Sequence, residues 1–423
     1  MRYKIDKLAM LAGWAVLLWQ FAGTAQAIPS FARQTGMPCS ACHTVFPQLT
    51  AFGRDFKLNG YTLSSGERRL PPLAAGVQLT YTRLGEAGQE LDGKKPRVPQ
   101  SASLYYGGRI TEKLGAFAQL AYEDEEDFAL EMADIRYADQ TTFGRRNLLY
   151  GLTLNNMPTL QDVWNSTPVY MFPYEPTAIA PEPAAGLGLS MPLSMRVVGL
   201  GVYTLWDNAV YVELTGYRSR DGGEMGELMD VAPYWRLAYT GQRESASYAA
   251  GAYGISGKTR LDAADPMAMM LGMMQEYRDV ALDAQYQYVD DPHIVTAYAT
   301  WIRRRTEYGD SMTGAAARDL DILRLNAGYV YQRMYGVTLG YFAVRGDADP
   351  ALYPPGEVEG SASGRPDTRG AVLEFDYLPQ LQTKLALQYT AYDEFNGAST
   401  NYDGFGRDAR DNNTLYLLAN FMF

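Results

Sequence analysis

The sequence predicts an all-β membrane protein: a 16-stranded antiparallel outer-membrane β-barrel joined to a small N-terminal helical segment. The chain has 423 residues, and beyond its N-terminal end no apolar run is long enough to cross a bilayer as a helix. It contains 32 tyrosines and 41 glycines, a composition that favours strands and turns. From about residue 73 onward, apolar and polar residues alternate over short stretches separated by turn residues, as in outer-membrane barrels.

The N-terminal end has the pattern of a secretory signal peptide over residues 1–27. Basic residues near the start precede an apolar stretch over 8–23, and Ala25-Gln26-Ala27 is a typical cleavage site. The alternative is a transmembrane anchor, but about 16 apolar residues are few for a helix that needs roughly 20 to cross a bilayer. We therefore expect the mature chain to begin at Ile28.

Sixteen strands can be placed between residue 73 and the C-terminus. In the fifteenth strand, Leu385, Leu387 and Tyr389 share one face, which we expect to contact lipid. Lys384 and Gln388 share the opposite face. The predicted strands span residues 73–85, 101–112, 115–123, 129–139, 147–156, 194–206, 208–219, 231–240, 244–256, 277–288, 293–305, 321–332, 335–346, 367–378, 383–394 and 413–423.

The connections between these strands give independent support for a barrel. In outer-membrane barrels, short periplasmic turns alternate with longer outer loops. The predicted connections alternate in this way, with one compact exception at 124–127. An even number of strands then places both ends of the barrel on the periplasmic side. The alternative, a soluble β-sandwich or propeller, requires covered faces and does not explain the difference in loop length.

The string Cys39-Ser40-Ala41-Cys42-His43 has the pattern of a c-type haem attachment site. Two thiols three residues apart can add across the vinyl groups of a haem, and the adjacent imidazole can ligate its iron. The alternative is a redox-active or disulfide-forming C-x-x-C, which usually occurs in a βαβ context that this sequence does not show. We therefore predict one haem c per chain, covalently bound through Cys39 and Cys42, with His43 as the proximal axial ligand of the iron.

These features divide the chain into a signal peptide over 1–27, a monohaem cytochrome c segment over 28–72 and a porin-like β-barrel over 73–423. About 45 residues are few for a domain that must bury both faces of a haem. A sixteen-stranded barrel, in turn, leaves an open lumen unless something fills it. We therefore predict that the haem segment plugs or abuts the periplasmic side of the lumen.

The sequence leaves the sixth ligand of the haem iron open. Met37 is the only other conventional ligand in the haem segment, but it lies too close to Cys39 along the chain to reach the opposite haem face easily. A barrel methionine, Lys57, water and an empty position are the alternatives. His293 has the same parity as Val295 in its strand, so we expect it on the lipid-facing rim.

Two segments of the chain also resemble a known family. The haem string with its flanking residues 28–36, 46–47, 52–57 and 60–61, and the segment 155–174, are similar to the fused outer-membrane cytochrome-porins associated with extracellular iron oxidation. The resemblance implies a protein of a Gram-negative outer membrane, in contact with its lipid, that oxidises extracellular Fe(II) through the haem and passes electrons to a periplasmic c-type cytochrome. A haem-plugged transport porin, or a conduit for another donor or acceptor, remains the alternative. The formal net charge of −11 gives no reason to expect nucleic acid as a partner.

Three loop or strand-end segments carry weaker signals. Residues 123–127 (Glu-Asp-Glu-Glu-Asp) in a predicted outer loop would attract cations such as Fe(II), although the solubility of a surface loop explains them equally well. Arg303-Arg304-Arg305 ends a strand near the outer surface, where a lipopolysaccharide phosphate or a loop carboxylate can pair with it. Methionines crowd residues 267–274, where we favour a short apolar helix over a copper or haem ligand.

Overall fold

The protein folds as a closed barrel of sixteen antiparallel strands in the part of the chain that the computed structural model describes. Each strand pairs with its neighbours in sequence, and β1 closes the barrel by pairing with β16. The predicted sixteen-stranded barrel is therefore confirmed. Within the described residues, no helix is long and apolar enough to cross a membrane. The described residues are 29–66, 71–85, 94–123, 128–167, 174–175, 177, 179–189, 193, 197–220, 228–260, 274–309, 317–350 and 352–423.

The predicted signal peptide and residue 28 lie outside these ranges. Four short α-helices precede or interrupt the strands: α1 (Pro29–Thr35), α2 (Cys39–Cys42), α3 (Ala51–Leu58) and α4 (Pro158–Gln161) among the described residues, and a 3₁₀ helix spans Ala409–Asn412. The strands are β1 (Leu73–Leu84), β2 (Lys94–Arg109), β3 (Leu114–Glu123), β4 (Ala129–Phe143), β5 (Arg146–Asn155), β6 (Val197–Trp206), β7 (Val210–Ser219), β8 (Ala232–Arg243), β9 (Ala246–Arg260), β10 (Met274–Asp290), β11 (His293–Gly309), β12 (Ala317–Tyr331), β13 (Tyr335–Gly346), β14 (Thr368–Gln380), β15 (Thr383–Glu394) and β16 (Thr414–Met422).

The strands lie where the sequence predicts them, and the differences are at their ends. Strand β2 begins at Lys94, whereas the alternation predicts a start at 101. Strands β9 to β12 run three or four residues further than predicted at the end of the barrel that carries the long loops. Several outward-facing residues there are charged, such as Lys258, Glu276 and Glu307, so the apolar alternation stops before the backbone pairing does.

Side chains alternate between the outer surface of the barrel and its lumen. On β15, Leu385, Leu387 and Tyr389 are exposed on the outer surface, whereas Lys384 and Gln388 are buried inside, as predicted. Similar exposed leucine, valine, tyrosine and tryptophan side chains occur all around the barrel. A continuous apolar belt of this kind is suited to contact with lipid.

Short turns and both ends of the barrel lie on the same side. Strand β1 begins and β16 ends there, with Gly76 opposite Met422. The turn between β6 and β7 is tight because Asp207 and Asn208 adopt positive φ values of 54° and 53°, a conformation that asparagine and aspartate tolerate better than most residues. The chain segment that precedes β1 therefore meets the barrel at the short-turn end.

Residues 29–66 fill this end of the lumen, and we call them the plug. The Arg54 guanidinium on α3 donates to Gln287 Oε1 on β10 at 2.8 Å and to Ser247 Oγ on β9 at 3.0 Å. On the other side, the Tyr61 hydroxyl donates to Asp134 Oδ2 on β4 at 2.6 Å. Because these buried contacts reach strands on different sides of the wall, they fix the plug inside the barrel.

The long connection between β5 and β6 also turns into the lumen. Its residues Leu187, Leu189 and Leu193 are buried in the largest apolar cluster, together with lumen-facing residues such as Tyr217 and Phe342. This cluster fills the barrel toward the long-loop end. The plug and the inward connection thus occupy successive parts of the lumen.

The apolar belt predicts the positions at which a charged side chain lowers the stability of the barrel. We expect Leu282→Arg, at an outward position in the middle of β10, to lower the free energy of unfolding in lipid vesicles by about 2–4 kcal/mol, because the guanidinium would lie in hydrocarbon. The matched variant Ser256→Arg, outward-facing near the long-loop end of β9, should cost less than about 1 kcal/mol. Equal costs in urea titrations would contradict the placement of the belt.

Candidate haem-binding site

The two cysteines lie on one helical turn of the plug. Helix α2 consists of Cys39 to Cys42, and the backbone N–H of His43 donates to the Cys39 carbonyl at 2.9 Å. Residues three positions apart in such a turn share a face. His43 follows in an extended conformation, with φ −128° and ψ 141°. One turn therefore presents both thiols together and places the imidazole directly after them.

Helix α3 holds this turn in place. Thr50 caps α3 by accepting a hydrogen bond from the Gly53 N–H at 3.1 Å, and its hydroxyl donates to the Ala41 carbonyl at 2.6 Å. Gly53 lies so close to the turn that a Cβ there would be 2.3 Å from the Cys42 carbonyl oxygen. A side chain at position 53 would therefore push α3 away from the cysteines.

The cysteines and His43 open onto a cavity of about 450 Å³ between the plug and the barrel wall. Tyr105, Phe117 and Met132 contribute its wall from β2, β3 and β4. Near the cysteines, most of the side chains that line the cavity are apolar or aromatic. Such a lining suits a flat apolar ligand. The remaining lining residues include Phe31, Phe46, Phe56, Tyr61, Met157, Leu160, Gln78, Gln119, Glu131, Glu175 and Lys384.

The chemistry of the three motif residues fits a covalent haem. Burial lowers the pKa of His43 to about 4, so the imidazole is neutral near neutral pH, the form that ligates a metal. Its Nδ1 atom is buried without a hydrogen-bond partner. Burial raises the pKa of Cys42 to about 11, and Cys39 and Cys42 form no disulfide. A redox-active C-x-x-C needs the opposite shift, toward the thiolate, so this environment argues against that alternative.

Several candidates for a sixth iron ligand line the same cavity. They are Met37 from the plug, Met132 from β4, Met157 from the inward connection, and Lys57 from α3. Lys57 donates to the Leu160 carbonyl, and burial lowers the pKa of its amino group to about 8. The described residues contain no group of three or more His, Cys, Asp and Glu side chains arranged to hold a separate metal ion.

His293 lies away from this cavity, as the sequence predicts. Its side chain is on the outer surface of the barrel, and Nδ1 is 2.8 Å from the Tyr329 hydroxyl. The neighbouring Ile294 is the residue that faces inward, where it packs against Val45 of the plug. His293 therefore does not reach the cavity as a ligand of the haem iron.

A buried ionic cluster anchors the inward connection on one side of the cavity. The Arg236 guanidinium lies 2.7 Å from Asp283 Oδ2 and 3.5 Å from Asp162 Oδ2, and all three side chains are fully buried. Asp162 also accepts the backbone N–H groups of Trp164 and Ser166, each at 2.9 Å. The guanidinium offsets the charge of the two carboxylates, as burial of charged groups requires. Arg236 Nε and Asp283 Oδ1 remain buried without a hydrogen-bond partner.

A second cluster connects the same chain segment to the plug. Arg136 Nε lies 2.7 Å from Asp134 Oδ2, and its Nη2 donates to the Gln161 carbonyl at 2.6 Å. The same Asp134 carboxylate accepts from Tyr61 of the plug. The wall, the plug and the inward connection are thus tied together beside the cavity.

Sequence reasoning missed these buried ion pairs. Arg136 and Arg236 each stand at a lumen-facing position of an otherwise alternating strand. Their parity alone identifies them as lumen residues, but their partners come from distant parts of the chain. Of the weaker sequence signals, residues 124–127 and the methionines at 267, 269, 270 and 273 lie outside the described residues.

Comparisons with known proteins concern the barrel. It is similar to the solved structure of Salmonella typhi OmpF in complex with daunomycin, with a TM-score of 0.50 and 12% sequence identity over 83% of this chain and 97% of that chain. An anion-selective porin from Comamonas acidovorans matches with a TM-score of 0.46 and 12% identity, over 83% and 98% of the two chains. The outer-membrane channel DcaP of Acinetobacter baumannii matches with a TM-score of 0.47 and 13% identity, over 83% and 96%.

No family model matches the sequence, and no curated protein matches it significantly. The likeness to OmpF shows a shared fold. The chain thus has the porin-like barrel of the Gram-negative outer membrane, a fold that associates with membrane lipid.

The buried ionic cluster predicts a large effect of a single substitution. We expect Arg236→Met to lower the free energy of unfolding by about 3–5 kcal/mol, because Asp162 and Asp283 would remain buried without a cation. Arg146→Met is the control, since the Arg146 to Asp207 pair is largely exposed and its loss should cost less than about 1 kcal/mol. Denaturant titrations in vesicles that give equal values for both variants would contradict this account of the cluster.

Proposed function

We propose that this protein is an outer-membrane electron-transfer porin that oxidises extracellular Fe(II) through one covalently bound haem c and passes the electron to a periplasmic c-type cytochrome. The observation that carries the proposal is the cavity inside the lumen, which both cysteines of the C-x-x-C-H string and His43 line together. The resemblance of residues 28–61 and 155–174 to fused cytochrome-porins supports the same function.

Each motif residue has a role in this proposal. Cys39 and Cys42 would hold the haem through thioether bonds, and the neutral, buried His43 imidazole would ligate its iron. The bound haem would supply a one-electron Fe(III)/Fe(II) couple. Phe46 and Phe117 contribute apolar surface to the cavity, and solvent access is one of the factors by which a protein sets a haem potential.

The position of the cavity supports electron transfer across the membrane. The C-x-x-C-H turn belongs to the plug at the short-turn end, which in barrels of this class is periplasmic. A soluble cytochrome can approach that end, and the Arg333 guanidinium there donates to the Ser40 carbonyl, which ties the turn to the barrel rim. Fe(II) would bind at the long-loop end, where acidic residues 123–127 belong to an outer connection. Only its electron would pass on to the haem, because the filled lumen does not admit the ion.

A transport porin with a haem plug is the second candidate, since the barrel shares the fold of OmpF. The filled lumen argues against it. Arg54 and Tyr61 hold the plug to opposite parts of the wall, and Leu187 and Leu193 fill the lumen beyond it. Solute passage would require buried ion pairs to separate.

Covalent haem attachment is tested by removing both thiols. We expect Cys39→Ala combined with Cys42→Ala to abolish covalent haem and to leave a membrane-inserted, heat-modifiable barrel, because strand pairing does not depend on the cofactor. Acid-acetone extraction followed by a haem stain measures this. Ser40→Ala, which keeps both thiols, is the matched control. Haem that resists extraction in the double variant would contradict the attachment residues.

Fe(II) oxidation is tested by stopped-flow mixing of the oxidised protein with Fe(II), followed at the haem bands. We expect rapid haem reduction. Neutralising all five acidic residues at 123–127 should slow it more at low than at high ionic strength, because salt screens such attraction beyond about 10 Å at 0.1 M. Equal rates for this variant and the wild type at low salt would show that the loop does not attract Fe(II). The absence of any haem reduction by Fe(II) would show that Fe(II) is not the substrate. The control neutralises five acidic residues at the short-turn end: Glu112, Asp207, Glu244, Asp290 and Asp291.

Ion conductance separates the two candidate functions. We expect the intact protein in a planar bilayer to conduct far less than an open sixteen-stranded porin, because the plug and the inward connection fill the lumen. Deletion of residues 29–66 should raise the current. A current through the intact protein as large as that of the open porin would favour the transport function.

A further inference from the structure

The outer surface of β9 to β12 carries charge above the apolar belt. Strands β10 and β11 have 17 residues each. Leu282 and Trp301 are paired across these strands and belong to the exposed apolar belt. The next outward position toward the long-loop end pairs Val280 with Arg303.

One outward position further, two arginines face each other. Arg278 on β10 lies directly opposite Arg305 on β11, and both side chains are exposed. Like charges at directly opposed positions of neighbouring strands destabilise the pairing. An anion bound between the two guanidinium groups would remove this repulsion.

The neighbouring carboxylates compensate only part of this charge. Asp319 on β12 lies 3.1 Å from Arg303 and 3.4 Å from Arg305, and Glu307 lies 3.1 Å from Arg305. Arg278 has no hydrogen-bond acceptor or carboxylate partner among the described residues.

Among the described residues, Arg260 on β9 likewise has no such partner. Arg345 on β13 lies directly opposite Asp321 on β12, which compensates part of its charge. Lys258 pairs with Glu276 at 3.3 Å. The cationic groups of this surface are thus more numerous than the acidic groups that face them, and we call it the arginine ladder: Lys258, Arg260, Arg278, Arg303, Arg305 and Arg345, interspersed with Glu276, Glu307, Asp319 and Asp321.

We propose that the arginine ladder binds the phosphate groups of lipopolysaccharide in the outer leaflet, with one phosphate held between Arg278 and Arg305. Planar guanidinium groups bind phosphate oxygens through paired, charge-assisted hydrogen bonds. The ladder begins one outward position above the apolar belt, which is the depth of lipid headgroups. The acyl chains of the same lipid would lie against Leu282 and Trp301.

The geometry favours a lipid over a soluble partner. The ladder is on the lipid-facing surface of the strands, away from the lumen and in line with the belt below it. Its carboxylates, such as Asp319 and Glu307, fit the same partner, since divalent cations bridge carboxylates and lipid phosphates. The inference does not depend on the haem.

The proposal is tested with the purified, delipidated full-length protein and bisphosphorylated lipid A, followed by native mass spectrometry. We expect lipid A to bind at least about tenfold more tightly than the same lipid without its phosphates. The double variant Arg278→Gln and Arg305→Gln should lose this preference. The matched control, Arg83→Gln with Arg218→Gln, removes two outward arginines near the long-loop ends of β1 and β7 and should keep it.

Two controls address the folding of the glutamine variant and the source of the bound phosphate. If the glutamine variant fails to show heat-modifiable mobility, Arg278→Lys with Arg305→Lys keeps the charge and should retain a reduced preference for phosphorylated lipid A. Equal binding of lipid A with and without phosphates, or an unchanged preference in the folded glutamine variant, would overturn the proposal. Competition by inorganic phosphate at concentrations similar to lipid A would overturn the assignment to a lipid.

Discussion

Closure of the sheet is the constraint on which the rest of this structure depends. A sheet in a bilayer has no water to satisfy its edge N–H and C=O groups, so the sixteen strands must close on themselves. Sixteen strands enclose a lumen too wide for wall side chains alone to fill. Arg136 and Arg236 project into this lumen as buried cations, and Asp134, Asp162 and Asp283 pair with them. Asp162 comes from the inward connection, and Tyr61 of the plug donates to Asp134, so both segments contribute to the buried polar groups of the wall.

The candidate haem site follows from the same interdependence. The plug supplies the C-x-x-C-H turn, and Gly53 permits α3 to pack directly against it. Such a short segment has too few residues to enclose a cofactor. The barrel supplies the missing wall through Phe117 and Met132, and the inward connection supplies Met157. A cavity made by three parts of the chain is compatible with a haem that is bound through the plug and shielded by the barrel.

The sequence predicts the strands well because outward and inward residues differ so strongly in polarity. Parity alone places His293 outside and Lys384 inside. It fails at the ends of β9 to β12, where outward residues such as Lys258 and Glu307 are charged and no longer mark a lipid-facing strand. Contacts between distant segments, such as Arg54 with Gln287, follow from the folded register and leave no local pattern in the sequence. The sixth iron ligand depends on such contacts, and for this reason the motif alone does not identify it.

We propose that one haem is bound inside the lumen by the C-x-x-C-H turn. Anomalous X-ray diffraction from crystals of the intact protein, recorded on both sides of the iron absorption edge, measures this directly. We expect one iron peak per chain, in the cavity next to His43 and between α2 and strands β2 to β4. Crystals without an iron peak, or with the peak on the outer surface of the barrel, would contradict it.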